Sequence, residues 1–598
     1  MCRIAGIFDK SLPAEKLQEL VKGMCQILKH GGPDDEGIFS SPENSLVLGN
    51  RRLALLDLSQ AGHQPMSYDN GNYHITYNGE MYNFLELRQE LIEKGFTFIS
   101  NSDTEVILAS FVAWGTKAFE KFNGMFAFAL WDNKESTLYI VRDAAGIKPL
   151  YYSVNNQQLV FASEVRALKS IPGLDEENPH WPVYMMAYGH LPEPITTLKN
   201  VKPLAKGTYL KYNVPEGKWD ISTFSNFNYS ESISERSDAI VLIKDCLTKA
   251  VKRHLLSDAP IGVFLSGGLD SSITALLAND KGNRHLNTLS LYFSESKFSE
   301  KKYQDMVLQR LSCNHHQHLL SEQEFHENFP RIISDMDLPS TDGINTWFIS
   351  KYSKEVGLKA VLSGVGGDEL YGGYPSFGRM SKVSMLEKLP NAILKNAAFA
   401  ESKKLRRLVY LSLGGAKGKY LFLRGHFTPV EISKQLNIPE SRVWQILKEQ
   451  PVLDKIDNLS AGNQASWIEM NLYMQNQLLR DSDVMSMAHG VEIRVPFLDK
   501  DFIEMSMQIK SSVKYAGNYN KQLLIDTFKD ILPEPIWNRP KMGFTFPFKE
   551  WLAKDDFVKD AIHSAGEVST SNFKKFIAGD MHWSQLMTLV LLEKSVHA

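Results

Sequence analysis

Two hydrophobic periodicities divide the chain. Over residues 1–205, short runs alternate apolar and polar positions, as in Tyr73-His-Ile-Thr-Tyr77 and Ser136-Thr-Leu-Tyr-Ile-Val141, with turn residues between them. That spacing predicts antiparallel strands, with helices near 14–29, 84–94 and 104–115. Residues 206–236, which hold Pro215-Glu-Gly217 and a serine-rich polar stretch, read as a linker. From about 237 the pattern becomes helix, strand, helix: Ile240–Leu255, Ile261–Leu265, Ser271–Ala278, Asn287–Tyr292, Glu300–Leu311. Such alternation predicts a parallel sheet with helices on both faces. Residues 380–470 read as a helical insertion without a nucleotide motif. The expected organisation is an α+β unit over 1–205, a linker over 206–236 and an α/β unit over 237–598.

Leu265-Ser-Gly-Gly-Leu-Asp-Ser-Ser272 stands where strand 261–265 gives way to a helix. A strand, a glycine turn and a hydroxyl-flanked helix start make an anion cradle, because backbone N–H groups converge there and the helix dipole favours negative charge. The phosphate loop GxxxxGK[ST] carries a lysine; this loop has none. It has Asp270, a carboxylate suited to holding Mg²⁺ on phosphate oxygens. Val361-Leu-Ser-Gly-Val-Gly-Gly-Asp-Glu-Leu-Tyr-Gly-Gly-Tyr374 is a second strand followed by glycines. Ser363 and Gly364 fall at a strand's carboxyl end, where open α/β sheets bind ligands, and Asp368 is a candidate second Mg²⁺ carboxylate.

At the other end, Cys2 follows the initiator Met1. Removal of Met1 would leave a free α-amine beside the Cys2 thiol, with an unperturbed pKa near ~8 and so the capacity to act as a base. Nucleophile and general base on one residue is the logic of N-terminal nucleophiles. After Cys2 come, in order, His30-Gly-Gly-Pro-Asp34, Arg52-Leu-Ala-Leu-Leu-Asp57, Tyr77-Asn-Gly-Glu-Met-Tyr-Asn83, Ser102-Asp-Thr-Glu105, Gly124-Met-Phe-Ala-Phe-Ala129 and Arg142-Asp-Ala-Ala-Gly-Ile-Lys-Pro-Leu-Tyr151. The series closely resembles the glutaminase domain of class II amidotransferases. With the loops at 265–272 and 361–374, nearly the whole chain resembles the glutamine-hydrolysing asparagine synthetase family.

The resemblance implies an antiparallel sandwich of the N-terminal-nucleophile type with flanking helices, then an α/β ATP-pyrophosphatase domain. It implies catalysis by Cys2, with Asn78 and Gly79 as oxyanion donors, and a glutamine pocket of Arg52, Asn78, Gly79, Glu80 and Asp103. Arg52 would take the α-carboxylate bidentately and Asp103 the ammonium. It assigns ATP and pyrophosphate to Leu265, Ser266, Gly267, Gly268, Asp270, Ser271, Leu291, Ser363, Gly364, Asp368 and Lys521, with Mg²⁺ on Asp270 and Asp368. Gln477–Asp483 and Glu492–Asp499 match the family's helical segment closing that site. The expected reaction hydrolyses glutamine and passes ammonia to an adenylated carboxylate, aspartate first.

Three positions depart from the family pattern. Gly31 replaces the arginine of HRGPD, and Arg3 replaces the glycine that follows the cysteine. One guanidinium has gone and another has appeared nearby, so Arg3 is expected to supply the missing one. Val365 stands where well-studied members place a glutamate needed for the adenylate step, and Leu338-Pro-Ser-Thr-Asp-Gly343 does not reproduce their Thr-Thr-x-Arg segment. A different acceptor, such as a uronic acid of a surface polysaccharide precursor, is therefore the alternative. An inactive scaffold is disfavoured, because Cys2, Asn78, Asp103, Asp270, Asp368 and Lys521 are all present.

Composition adds exclusions. Charged residues are 23% and the formal net charge is −3, which gives no electrostatic case for nucleic acid. The cysteines (Cys2, Cys25, Cys246, Cys313) are scattered without a CxxC pair, which argues for a reducing compartment and against structural zinc. No apolar run is long enough to span a bilayer, and the N-terminus lacks a signal-peptide pattern, so a cytoplasmic location is expected. The reading allows a homodimer without fixing the oligomeric state.

Overall fold

The computed structural model describes residues 2–279, 286–449, 456–540, 542–543 and 546–596. Its N-terminal half holds strands β1 (Arg3–Asp9), β2 (Asp35–Ser41), β3 (Leu46–Arg52), β4 (Met66–Tyr68), β5 (Tyr73–Met81), β6 (Gly124–Asp132), β7 (Thr137–Arg142), β8 (Tyr151–Val154), β9 (Gln158–Ala162), β10 (Lys202–Pro203), β11 (Thr208–Asn213) and β12 (Lys218–Thr223). They form two antiparallel sheets in the orders β10-β8-β9-β1-β3-β2 and β12-β11-β7-β6-β5-β4.

Side-chain alternation explains why the sheets stack. From β1, Ile4 and Phe8 meet Ala127, Ala129, Leu138 and Ile140 between the sheets. Ala5 and Ile7 point the other way, onto Leu17, Val21 and Met24 of helix Ala14–Ile27. On the far side, Ile75, Tyr77, Phe126 and Phe128 pack against Val106, Ile107 and Phe111 of helix Asp103–Trp114. The result is four layers, helix–sheet–sheet–helix. The stretch expected to be a linker from 206 begins with β11 and β12, which pair with β7 and with each other. The N-terminal sheet therefore runs through Thr223. The Pro-Glu-Gly turn at 215–217 is the tip of that hairpin, and a hairpin tip and a linker carry the same turn residues.

The C-terminal half adds β13 (Ile261–Phe264), β14 (Asn287–Tyr292), β15 (Asn314–Leu319), β16 (Ala360–Leu362) and β17 (Glu492–Arg494), all parallel, in the order β15-β14-β13-β16-β17. After β13 the order runs one way to β14 and β15; β16 then opens on the opposite side. The gap beyond the ends of β13 and β16 is a topological switch point, where such sheets bind ligands. Helices from Pro375–Leu386 to Ala461–Ile468 pack together between β16 and β17, and continue through Glu469–Leu479 into Arg480–Met487. Glu492–Arg494, expected within a helical segment closing the site, is instead an edge strand, and its three residues are buried although two are charged. An edge is tolerated when something covers it. Here Glu80 of the N-terminal half and the His254 and Leu256 carbonyls meet its Arg494 side chain.

Candidate active sites

Cys2 lies at the start of β1, buried, with its backbone nitrogen 3.3 Å from Asn78 Oδ1. Tyr77 faces the helix layer, so Asn78 and Glu80 face β1. The Cys2 N–H fixes the Asn78 carboxamide with its oxygen inward, and among the described residues the buried Asn78 Nδ2 has no hydrogen-bond partner. An unpaired buried donor is costly, and a donor aimed at a developing oxyanion is one reason to keep it. Gly79 pairs with Phe126, and a Cβ there would sit 2.2 Å from Met125 O, so only glycine allows that approach. Burial pushes the Cys2 thiol up; the N-terminus, the Leu53 N–H and Arg52 oppose this.

The expected glutamine-binding groups surround this point. Arg52 ends β3, its guanidinium donating to the carbonyls of Ser59 (3.2 Å), Leu56 (3.3 Å) and Asp57 (2.5 Å). Asp103 opens its helix, where Oδ2 accepts from Tyr77 Oη and the Met81 N–H, both at 2.9 Å. Burial raises its carboxyl against those two bonds. Glu80 is buried 3.2 Å from Arg494 Nη2.

Arg3 is on the opposite face of β1 from Cys2. It is wholly buried, with Nε 2.7 Å from Glu164 and Nη1 2.6 Å from Asp483. A Cβ on Gly31 would lie 2.7 Å from Arg3 Cγ, so the two departures share one space. Arg3 does fill the volume above Gly31, but its guanidinium serves a pair of carboxylates rather than the thiol. Strand alternation forbids adjacent residues 2 and 3 from pointing at one spot.

The second site occupies the switch point, a cleft of about 740 Å³. Gly267, at φ +82°, turns the loop, Gly268 caps helix Leu269–Ala278, and Ser271 Oγ lies 2.9 Å from Ser266 Oγ. Leu265, Ser266, Gly268, Asp270, Ser271, Leu291, Ser363, Gly364, Val365, Asp368 and Lys521 all line the cleft. Lys521 Nζ stands 2.8 Å from Asp270 Oδ2 and 2.6 Å from Asp368 Oδ1. Burial disfavours its charge, but the two carboxylates outweigh that and raise it. Both carboxylates thus converge on one cationic point, which is what a divalent-ion site requires of them. A Cβ on Gly367 would fall 2.5 Å from Asp270 Cγ and one on Gly373 1.7 Å from Asp368 Oδ1, so these glycines clear the carboxylates' space. Val365 gives the wall an apolar patch. Four residues on, Glu369 is buried with Oε1 2.7 Å from Tyr374 Oη and its carboxyl raised to about 7 by burial and by Asp368.

Two elements escaped the sequence reading. Arg539 donates to Gly267 O at 2.9 Å and lies 2.7 Å from Glu300, which puts a guanidinium against the glycine loop. Its only signal was a basic residue before Pro540 in a glycine-containing stretch. Arg494 joins the two sites, and nothing in its local pattern announces a buried cation.

Residues 242–584 match the family model described as asparagine synthase, and residues 1–224 the one described as glutamine amidotransferase domain. Asparagine synthetase (glutamine-hydrolyzing) 1 of Bacillus subtilis strain 168 is 32% identical over 585 residues, covering 94% of this chain and 90% of its own. Asparagine synthetase (glutamine-hydrolyzing) 3 of the same strain is 29% identical, covering 94% and 91%. Amidase chry2 of Gibberella zeae is 26% identical, covering 90% and 86%. A thiol site and a nucleotide cleft joined in this way define a glutamine-dependent ligase. The chain belongs to the asparagine synthase family.

Proposed function

We propose that the protein hydrolyses glutamine at Cys2 and transfers the ammonia to a carboxylate adenylated in the C-terminal cleft, with aspartate as the acceptor and asparagine as the product. The Cys2 thiol, its proton taken by the residue's own α-amine, attacks the glutamine carboxamide carbon. Asn78 Nδ2 and the Gly79 N–H receive the oxyanion, a contribution of about 3–4 kcal/mol per donor. The proton passes to the leaving ammonia, and water then hydrolyses the γ-glutamyl thioester to glutamate. In the cleft, the acceptor carboxylate attacks the α-phosphorus of ATP. Pyrophosphate leaves towards Ser266–Ser272, Lys521 and Arg539. Ammonia attacks the acyl carbon and AMP departs. Asp270 and Asp368 would hold Mg²⁺, which when bound would supply neutralisation of phosphate charge. A cytoplasmic location belongs to the same reading, since Cys2, Cys25, Cys246 and Cys313 are all free thiols.

The observation that carries this reading is the Asn78 amide nitrogen beside Cys2, without a partner among the described residues, on the same chain as two carboxylates converging at a switch point. A second reading keeps the chemistry and changes the acceptor, and is favoured by the apolar Val365 in the cleft wall. Pyrophosphate release with ATP and glutamine, measured with candidate acids one at a time, tests both. Release with aspartate supports the first. Release only with another acid, such as a uronic acid, supports the second, and release with none sinks the ligase reading.

A further inference from the structure

The segment Glu492–Asp499 lines neither reacting centre with its charged side chains, yet it carries more buried charge than the strand beside it needs. β17 pairs in parallel with β16, and beyond their last paired residues the Ser363 N–H donates to Arg494 O at 2.8 Å. The backbone of residue 494 therefore fixes the loop that opens the nucleotide cleft. Its side chain runs the other way. Arg494 is wholly buried, with Nη1 donating to the carbonyls of His254 (2.8 Å) and Leu256 (2.6 Å), Nε 2.5 Å from Glu492 and Nη2 3.2 Å from Glu80. Glu80 follows Gly79, one of the expected oxyanion donors, and shares a face of β5 with Asn78. The cleft of one domain and the pocket of the other thus meet in a single residue.

We propose that Arg494 is a positioning residue for the glutamine pocket, supplied by the synthetase half of the chain: its guanidinium holds Glu80 in place to receive glutamine. The inference rests on the reading of Glu80 as a glutamine ligand. Three observations support it. The guanidinium is locked by two carbonyls and Glu492, so it offers Glu80 a fixed cation rather than a mobile one. Burial, with Glu492 and Asp103, pushes the Glu80 carboxyl well above its ordinary range, and Arg494, 3.2 Å away, is the strongest influence opposing them. Further anchors fix the same segment against the N-terminal half: Asn123 Nδ2 donates to Asp499 Oδ1 at 3.2 Å and Lys500 Nζ to Glu120 O at 2.6 Å.

Because backbone and side chain of residue 494 serve different sites, substitution separates them. In the full-length protein, Arg494→Met should raise the KM for glutamine about tenfold or more, because Glu80 loses the buried cation it is paired with. Ammonia-dependent synthesis and ATP–pyrophosphate exchange should stay within about threefold of the parent, since Arg494 O still holds Ser363. Arg494→Lys should fall between the two. A structural role would instead lower all activities together. An unchanged glutamine KM in folded Arg494→Met, or a parallel loss of ammonia-dependent synthesis, would overturn the proposal. If Arg494→Met does not fold, Glu492→Gln/Arg494→Met, which removes the cation with one of its carboxylates, is measured by the same split. If that does not fold either, Arg494→Lys alone decides: a glutamine KM equal to the parent's refutes the assignment. A parent without glutaminase activity would refute the proposed function, not this inference.

Discussion

Replacing Arg3 by methionine is the sharpest probe of the domain boundary. The side chain is wholly buried, and its guanidinium lies 2.7 Å from Glu164 and 2.6 Å from Asp483, one carboxylate from each half of the chain. Removing one partner of a buried ion pair typically costs about 3–5 kcal/mol, because the remaining charge has lost its neutralising group. Neither carboxylate is left wholly alone: Glu164 keeps His30 at 2.9 Å and Arg166 at 3.0 Å, and Asp483 keeps Lys148 at 3.4 Å. The lower end, about 3 kcal/mol, is therefore expected, or roughly 6–12 °C in the melting of the N-terminal half. The pH dependence has a definite sign. Burial opposes ionisation of Glu164, but His30, Arg3 and Arg166 outweigh it and hold the carboxyl well below its ordinary value of 4.5. Stability from a depressed carboxyl is present above that ordinary value and lost as pH falls. The gap between parent and Arg3→Met should accordingly be full near neutrality and narrow in acid. Calorimetry across pH measures it. Gly31→Arg alone should also destabilise, since even its Cβ meets Arg3 Cγ at 2.7 Å, whereas Gly31→Arg in an Arg3→Gly background should recover part of the loss. A melting point within a degree of the parent at neutral pH would show that this ion pair does not clamp the halves.

Cys2→Ala should abolish glutamine-dependent synthesis and spare ammonia-dependent synthesis; glutamate release at the parental rate would remove Cys2 as the nucleophile. Asn78→Ala should lower glutaminase kcat by about 10²–10³ and cost about 1–3 kcal/mol of stability, because the Cys2 N–H loses the Asn78 oxygen as its acceptor. A kcat within fivefold of the parent would take Asn78 out of the oxyanion hole. Asp270→Asn and Asp368→Asn should each suppress ATP–pyrophosphate exchange and leave basal glutaminase intact, and normal exchange in either would exclude that residue from the nucleotide site.

Local signals made most of this molecule legible. Alternating runs gave the strands of the sandwich, and helix–strand spacing gave the parallel sheet. Glycines with a following hydroxyl marked the loop after β13. Cys2, Asn78 and Asp103, far apart in sequence, converge because β1, β5 and one helix N-terminus meet. What stayed hidden depends on contacts between halves. Arg3 and Gly31 could be paired by chemistry, but only strand alternation shows the guanidinium turning away from Cys2 towards Asp483. Glu492-Ile-Arg494 is too short and too charged to announce a buried strand, since the cover that makes its burial possible is contributed by residues hundreds of positions earlier. The hairpin at 208–223 reads as a linker in sequence because its tip has a linker's composition.

The buried edge at β17 also limits how the gene can be cut. A fragment starting after Thr223 would deprive Arg494 of Glu80 and uncover the outer side of an edge strand, whose open backbone N–H and C=O groups can recruit a second chain. A graft of a foreign glutaminase onto this synthetase faces the same demand: the donor must bring a carboxylate where Glu80 lies, an amide where Asn123 lies and a cation where Arg3 lies, to meet Arg494, Asp499 and Asp483. Modularity that looks free at the level of domain order is therefore constrained, residue by residue, at the seam.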